Sequence, residues 1–283
     1  MHPTSYIRPP AVAGMFYPAD PVVLARDVDR MLTAATPPPG AAPPHALLAP
    51  HAGYRYSGAI AARAFACIDA ERVDTVVLVG PSHVEAFDFT SVFDGDAFAT
   101  PLGEVAVDAA LAAALAAAAP SIRRSPRGHA AGRGRGEHAL EVMLPFLQRR
   151  CPRARIVPIT MGSQSHAACT DLADAIARHA DFARTLIVAS SDLSHFHPYD
   201  EAVLLDTEFC ARVAAMDGEA LLTGLARGRC EACGGGPTAA VMLALARVHR
   251  GTARVLARIN SGDVTGERES VVGYAAAVFG EAA

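Results

Sequence analysis

Three segments of the chain place a histidine a few residues after a run of apolar side chains: His51 in LLAPHAGY, His83 in VVLVGPSH and His195 in LIVASSDLSHFH. The apolar runs have the length and β-branching of buried strands. In an open α/β sheet, ligands bind beyond the carboxyl ends of the strands. Imidazole nitrogens that converge there could hold zinc, iron or copper.

A histidine that follows a single strand is commonly a turn or helix-cap residue, and this interpretation stays open for each of the three. Repetition of the pattern favours a shared site, because the same accident would have to occur at three strand ends. Neighbouring strands lie about 4.8 Å apart, so the side chains converge only if the three strands are adjacent. The sequence alone does not establish that adjacency.

A cysteine is the fourth candidate. Cys233 lies in RCEACGGGPTAAVML, where three glycines allow a close backbone approach and a helix is predicted to begin near Pro237. A helix N-terminus lowers the pKa of a thiol, so Cys233 is predicted to be a thiolate ligand or a nucleophile. Cys230 completes a C-x-x-C motif, but a structural zinc site would need a second pair.

The segment GEHALE contains Glu137, His138 and Glu141. On a helix, His138 and Glu141 would share one face at i, i+3, as an acid–base or metal pair requires. The same residues could instead form a helix-start cluster, since an acidic side chain is favoured near the positive end of the helix dipole. A pocket role and a structural role therefore both remain open.

The elements that must position these residues alternate along the chain. Apolar runs predict strands at 45–50, 74–80, 154–160, 185–191, 253–260 and 270–279. Helical patterns cover 57–70, 108–119, 136–150, 166–180, 201–216 and 237–250. This alternation predicts an α/β fold with helices around a central, mostly parallel sheet, which becomes mixed if the last two strands form an antiparallel hairpin. We expect a single domain over 1–283 and interpret the proline-rich segment 35–44 as a surface loop.

The composition excludes several classes of function. The chain of 283 residues is 51 % hydrophobic and 19 % charged, so it can bury a large core and is not predicted to be disordered. All 25 basic residues are arginine, which excludes lysine Schiff bases, pyridoxal phosphate attachment and a Walker A lysine. A net charge of −4 provides no basic field for nucleic acid or anionic lipid.

The location of the protein is predicted from what the sequence lacks. The N-terminus has no basic start followed by an apolar run, and no apolar stretch is long enough to span a bilayer, so we expect a cytoplasmic protein with reduced cysteines. The arginine-rich segment 121–136 is interpreted as a solvated, mobile loop, with a phosphate or nucleic-acid contact as the alternative.

Seven motifs occur in this order: AGMFYP (13–18), PHAGYRYSG (50–58), GPSH (80–83), EHALEVMLPFL (137–147), SSDLSHF (190–196), CGGGP (233–237) and SGDVTGERESVVGYAA (261–276). Together they resemble the motifs of the Memo family, whose bacterial members are named AmmeMemoRadiSam system protein B. The resemblance runs from about residue 8 to residue 278, and the combination is far more specific than any one motif. It also favours a bacterial source. Ala139 stands where the family usually has serine.

The resemblance implies a fold similar to that of the class III extradiol dioxygenases, which use non-haem iron(II). By motif, His51, His83 and Cys233 match the metal-binding residues of the family, and Asp192 is also implicated. His195 matches the acid/base histidine of the dioxygenases. The thiolate departs from the two-histidine, one-carboxylate set typical of iron(II) oxygenases and favours copper(I), zinc or a redox role.

These expectations combine into one hypothesis and its alternatives. One transition metal ion, iron or copper with zinc as a third candidate, is held by the two histidines and the cysteine. Asp192 and His195 act as a further ligand or as acid/base groups. The pocket is lined by Tyr54, Glu137 and His138. Metal-dependent redox chemistry on a small aromatic substrate is the leading function. The alternatives are a non-catalytic ligand- or peptide-binding protein that serves a radical-SAM partner, and a hydrolase that uses metal-bound hydroxide. The sequence leaves open whether the protein is an enzyme.

Overall fold

Strands and helices alternate in the chain, and the structure, a computed structural model, describes residues 6–37, 42–132, 136–249 and 251–280. Residues 38–41 of the predicted proline-rich loop and residues 133–135 of the arginine-rich segment lie outside the described residues. The first five and the last three residues of the predicted single domain over 1–283 also lie outside the described residues. The single domain stays a prediction.

The strands are β1 (Ile7–Arg8), β2 (Ala46–Ala49), β3 (Thr75–Pro81), β4 (Thr90–Phe93), β5 (Ala97–Thr100), β6 (Gly103–Ala106), β7 (Ile122–Ser125), β8 (Arg155–Met161), β9 (Thr185–Ser190), β10 (His195–His197), β11 (Thr252–Asn260) and β12 (Val271–Gly280). The helices are α1 (Pro21–Ala34), α2 (Tyr54–Phe65), α3 (Ala109–Ala116), α4 (Leu144–Arg150), α5 (His166–His179), α6 (Tyr199–Ala214), α7 (Gly218–Ala226), α8 (Gly235–Arg247) and α9 (Ser261–Thr265). None of these helices combines the length and the apolar character needed to cross a membrane.

A mixed sheet of nine strands forms the centre, in the order β10-β12-β2-β9-β3-β8-β4-β7, with β11 also paired to β12. Strands β2, β9, β3 and β8 are parallel, whereas β4 is antiparallel to β8 and β12 is antiparallel to β2, β10 and β11. The predicted α/β class with a mixed sheet is therefore confirmed, and the last two strands form the predicted antiparallel pair. Strands β1, β5 and β6 make a separate small sheet.

The four parallel strands β2, β9, β3 and β8 are buried along their length, apart from Arg155 at the start of β8. Residues 76–79 of β3 are fully inaccessible, as are the apolar residues 187–189 of β9. Parallel strands covered by helices read as continuous apolar runs, which is why periodicity identified them from the sequence. Helices α1, α2 and α4 pack against one another, α8 packs against α5 and α7, and helices and sheet share one contiguous apolar core.

The predicted helix over 136–150 is shorter than expected. A 3₁₀ turn covers Glu141–Met143 and α4 begins at Leu144. The preceding residues stay in a loop because the carboxylate of Glu137 accepts hydrogen bonds from the backbone N–H groups of His138 and Ala139. A side chain that bonds its own backbone in this way competes with helix formation.

Several elements were not predicted from the sequence, namely β1, β4, β5, β6, β7, β10, α1, α7 and α9, and two of these differences are informative. Helix α1 was not predicted, although Asp20 caps its first turn and proline occupies its first position, both recognised start signals. The arginine-rich segment is not a mobile loop over its described part: residues 122–125 form β7 beside β4, and the ring of His129 is buried against Phe93 and Phe98. The alternation pattern missed β7 because the strand is short and two of its four residues are arginines.

Candidate metal centre

The two histidines and the aspartate that follow strands lie at one edge of the sheet. His51 follows β2, Asp192 follows β9 and His83 follows β3, and β9 lies between the other two strands. All three strands are parallel, so their carboxyl ends meet at the same edge. The convergence that the sequence left open therefore occurs at this edge.

Cys233 joins this group from the segment that precedes α8. Its Sγ lies 3.3 Å from Nε2 of His51, and one potential ligand atom from each of His51, His83 and Cys233 lies within 4.8 Å of the other two. The rings of the two histidines are 5.0 Å apart between centroids and nearly perpendicular. These three residues form a group that could hold a metal ion.

The ring of His51 has a defined tautomer. Its Nδ1 lies 2.7 Å from Oγ of Ser190, and that hydroxyl donates its own proton to the carbonyl of Ala139 at 2.6 Å. The hydroxyl oxygen must therefore accept from Nδ1–H, which leaves Nε2 unprotonated and directed at Cys233. Burial, followed by the neighbouring rings of His83 and His138, keeps the pKa of His51 well below its usual range. The imidazole is neutral, as a metal ligand must be.

His83 is held in the same way by Glu137. The carboxylate accepts hydrogen bonds from the backbone N–H of His83 at 2.6 Å and from its Nδ1 at 2.9 Å. Burial favours the protonated form of Glu137, but the hydrogen bonds from His83 outweigh it and lower the pKa of the carboxyl to about 2. The anion fixes Nδ1–H of His83 and leaves Nε2 as the free nitrogen. A carboxylate behind a histidine in this arrangement is typical of metal sites.

The position of Cys233 depends on close contact between its loop and the end of β9. Its backbone N–H donates to the carbonyl of Asp192 at 3.2 Å, and the N–H of Asp192 donates to Sγ at 3.3 Å. A Cβ on Gly234 would lie 2.1 Å from the carbonyl oxygen of Ser190, so no larger residue fits there. The predicted lowering of the thiol pKa is wrong: burial and then Asp192 raise the pKa of Cys233.

Asp192 and His195 lie beside this group. Oδ1 of Asp192 accepts from the N–H of His51 at 2.8 Å, and Oδ2 lies 3.9 Å from Nε2 of the same residue. Burial raises the pKa of this carboxyl to about 7, partly offset by the backbone hydrogen bonds. Nδ1 of His195 donates to the carbonyl of Leu193 at 2.8 Å, so its Nε2 is an acceptor, and burial lowers its pKa. Within the described residues, His195 belongs to neither group of potential metal ligands.

Of the three predicted pocket residues, two lie at the histidines. The ring of His138 stacks on His83 at 4.6 Å, and burial lowers its pKa to about 4. Together with Glu137 these rings form a second group that could hold a metal ion. Tyr54 instead joins an aromatic cluster with Tyr17, and its hydroxyl donates to the carbonyl of residue 142 at 2.8 Å, so the backbone engages its polar atom.

Glu141 has a structural role and does not pair with His138. Its carboxylate accepts from Arg8 at 2.7 Å, from the hydroxyl of Tyr17 at 2.6 Å, and from the backbone N–H groups of residues 11 and 12. Arg8 and Glu141 are both buried, so the ion pair fixes the N-terminal segment against the turn before α4. The hypothesis of an i, i+3 acid–base or metal pair is wrong because no helix forms at 138.

Two contributors to the site were missed from the sequence. Ser190 orients His51, and its signal was present as the SSD triplet at the end of a predicted strand. Phe16, in the motif AGMFYP, packs against His138 in a tilted arrangement, with 4.7 Å between the ring centroids. No local pattern indicates this contact, since the two residues are far apart along the chain.

The chain is similar to known proteins over nearly its whole length. A family model described as Memo-like protein matches residues 8–278. A MEMO1 family protein of Methanopyrus kandleri is 33 % identical, with 96 % of this chain and 98 % of that protein covered. A second MEMO1 family protein, from Methanothermobacter thermautotrophicus, is 35 % identical, with 95 % of this chain and 99 % of that protein covered. A third, from Aeropyrum pernix, is 37 % identical, with 95 % of this chain and 98 % of that protein covered.

Solved structures are also similar, among them that of an uncharacterized protein from Escherichia coli K12. This similarity has a TM-score of 0.47 at 14 % identity and covers 82 % of this chain and 98 % of the other.

Proposed function

This chain belongs to the Memo-like protein family, as the sequence motifs predicted, and we propose that it binds one transition metal ion through His51, His83 and Cys233 and uses it in redox chemistry. One observation carries the proposal. Ligand atoms of these three residues, which come from three separate parts of the chain, lie within 4.8 Å of one another.

The chemistry of the donor set supports the fit. Hydrogen bonds to Ser190 and Glu137 occupy Nδ1 of the two histidines, so Nε2 is the nitrogen that each ring can offer to a metal. The third donor is a thiol, whose proton must leave when a metal binds. Two imidazoles and one thiolate suit copper, iron or zinc better than the hard cations magnesium and calcium. Iron and copper are the leading candidates because the proposal includes redox chemistry.

When bound, the metal supplies a redox-active Lewis acid, and the surrounding residues provide orientation and proton transfer. Glu137 holds His83 in one tautomer and orientation. Asp192, with a pKa of about 7, can release or take up a proton near neutral pH, next to the backbone of His51. His195 presents a neutral Nε2 as a proton acceptor. A small aromatic molecule remains the proposed substrate.

The first experiment measures metal content. The protein is purified anaerobically, and iron, copper and zinc are determined by mass spectrometry in the parent and in His51→Ala, His83→Ala and Cys233→Ala. We expect one ion per chain in the parent and a loss of most of it in each variant. His166→Ala and Cys67→Ala serve as matched controls, because these residues lie outside both groups of potential ligands. Metal content unchanged in all three site variants would contradict the proposal.

The second experiment separates an enzyme from a binding protein. Oxygen consumption is followed with iron(II)- and copper-loaded protein and a panel of catechols. Turnover that disappears in His195→Ala, with metal content retained, supports redox catalysis in which this histidine transfers a proton. Absence of turnover with either metal favours the non-catalytic alternative, in which the cleft serves a partner such as a radical-SAM enzyme.

A further inference from the structure

Phe196 has an unusual backbone conformation. Among the described residues, three non-glycine residues have a positive φ: Phe196 at 63°, Met216 at 54° and His249 at 57°. The last two follow the ends of α6 and α8, where a left-handed residue commonly terminates a helix. Phe196 lies inside strand β10, where no helix end accounts for the conformation. A bulky residue there is strained.

The strain arises from a β-bulge. On the partner strand β12, Val272 pairs with His195 and Val271 pairs with His197, so Phe196 is the extra residue of β10. In bulges with a left-handed residue, that residue is ordinarily glycine, which adopts the conformation without steric conflict. A phenylalanine at this position opposes the local preference of the backbone.

The side chain does not compensate for this strain by packing in the core. Phe196 is 75 % exposed, the largest exposure of any aromatic residue among those described. Its ring contacts that of His195 edge to face, with 5.6 Å between the centroids. Sequences depart from local rules chiefly at functional positions, because elsewhere a residue that neither packs nor fits its backbone has no selective use.

Two buried or partly buried carboxylates hold the bulge in place. Asp206, from α6, accepts from the N–H of Ser194 at 3.0 Å. Glu231 accepts from the N–H of His195 at 3.2 Å and pairs with Nε2 of His197 at 2.7 Å. The surrounding structure thus imposes the conformation of Phe196 from both sides.

These hydrogen bonds also connect the bulge to the metal group. Glu231 belongs to the same segment as Cys233, and the bulge places Phe196 beside His195, with 5.6 Å between the ring centroids. His195 is partly buried and Phe196 is exposed, so a ligand bound on the solvent side of His195 can reach the ring of Phe196.

We propose that Phe196 is a specificity-determining residue that packs against a planar, aromatic part of a ligand bound beside His195. The proposal rests on the proposed function, since it assumes a ligand beside His195 and the metal. Aromatic rings pair in offset or edge-to-face geometry, and an exposed phenylalanine can supply such a contact at no cost to the core. The strained, exposed ring is retained because it contacts the ligand.

The test uses full-length, iron(II)-loaded protein under anaerobic conditions, with 4-nitrocatechol as a chromophoric probe titrated by absorbance. Phe196→Asn and Phe196→Gly remove the ring and suit a positive φ. Both should bind the probe about tenfold more weakly than the parent, and Phe196→Trp, which keeps an aromatic ring, should bind within about threefold. Unfolding temperatures of the Asn and Gly variants should equal or exceed that of the parent, and their iron content should match it.

The outcomes separate this inference from the proposed function. In one outcome, the metal-ligand variants lose iron while the parent, Phe196→Asn and Phe196→Gly bind the probe equally well. That result overturns the role of Phe196 and leaves the proposed function intact. A parent that holds iron without binding the probe overturns the aromatic assignment. Asn and Gly variants that unfold several degrees below the parent assign the ring to stability and overturn the inference. A parent that binds no metal overturns the proposed function first.

Discussion

At the scale of single residues, each candidate ligand depends on a neighbour that decides which of its atoms is free. Ser190 and Glu137 bond Nδ1 of His51 and His83, and the Nε2 atoms are left for other partners. The sequence identified the ligands by type and position, but the tautomers follow from hydrogen bonds between residues far apart in the chain. Glu137 is the more informative of the two partners, because it is an anion buried beside a histidine.

Replacement of Glu137 by glutamine should weaken metal binding without removing a ligand. The amide cannot act as an anionic acceptor for Nδ1–H of His83, and affinity should fall roughly 10- to 100-fold, as found for residues that support metal-binding histidines. Competition against a chromophoric chelator measures the change. Glu219→Gln, an exposed carboxylate paired with His166, is the matched control and should leave affinity unchanged. Equal affinities for Glu137→Gln and the parent would exclude a supporting role.

At the scale of elements, the site depends on how closely the segment before α8 approaches the end of β9. Gly234 makes that approach feasible, since its Cα lies against the carbonyl of Ser190. The three consecutive glycines could be recognised in the sequence as a flexible or close-packed backbone. Which strand end they approach could not be recognised, because that contact joins residues more than forty positions apart.

Gly234→Ala should displace Cys233 and reduce metal content to a level close to that of Cys233→Ala. The added methyl group would lie 2.1 Å from a backbone oxygen that cannot move away without disturbing β9. Metal analysis and thermal unfolding measure the two effects. Gly251→Ala is the control, because a Cβ there meets nothing within 4 Å. A Gly234→Ala protein with full metal content would show that the loop has more freedom than this packing allows.

At the scale of the whole molecule, buried neutral histidines connect stability to pH. His129 lies in the part of the arginine-rich segment that was predicted to be mobile, yet it is buried, and burial lowers its pKa from 6.5 to about 3. The charged groups that act on it are Arg8 and Glu137, which oppose each other. In the unfolded chain the ring takes up a proton below about pH 6.5. The unfolded state therefore binds more protons than the folded state between about pH 6.5 and pH 3.

Acid should destabilise the parent more steeply than a variant without this ring. The stability contributed by neutral His129 is complete above pH 6.5 and is lost as the pH falls, at up to about 1.4 kcal/mol per pH unit. Urea unfolding of the parent and of His129→Gln at several pH values between 6.5 and 4 measures the difference in slope. His166→Gln, an exposed histidine, should leave the slope unchanged. Parallel curves for parent and His129→Gln would contradict the assignment.

The sequence by itself determined the alternation of strands and helices, the type of residue at each strand end and the membership of the family. These properties are local or are carried by ordered motifs, so composition and periodicity reveal them. The tertiary structure decided that β9 lies between β2 and β3, that Cys233 comes within 3.3 Å of His51, and that Phe196 occupies a strained bulge. Strand order and burial result from packing between distant segments. For this reason two predictions were wrong: a lowered pKa for the thiol of Cys233 and a mobile loop around His129. Packing by distant segments buries both side chains, and the resulting desolvation outweighs what the local sequence indicated.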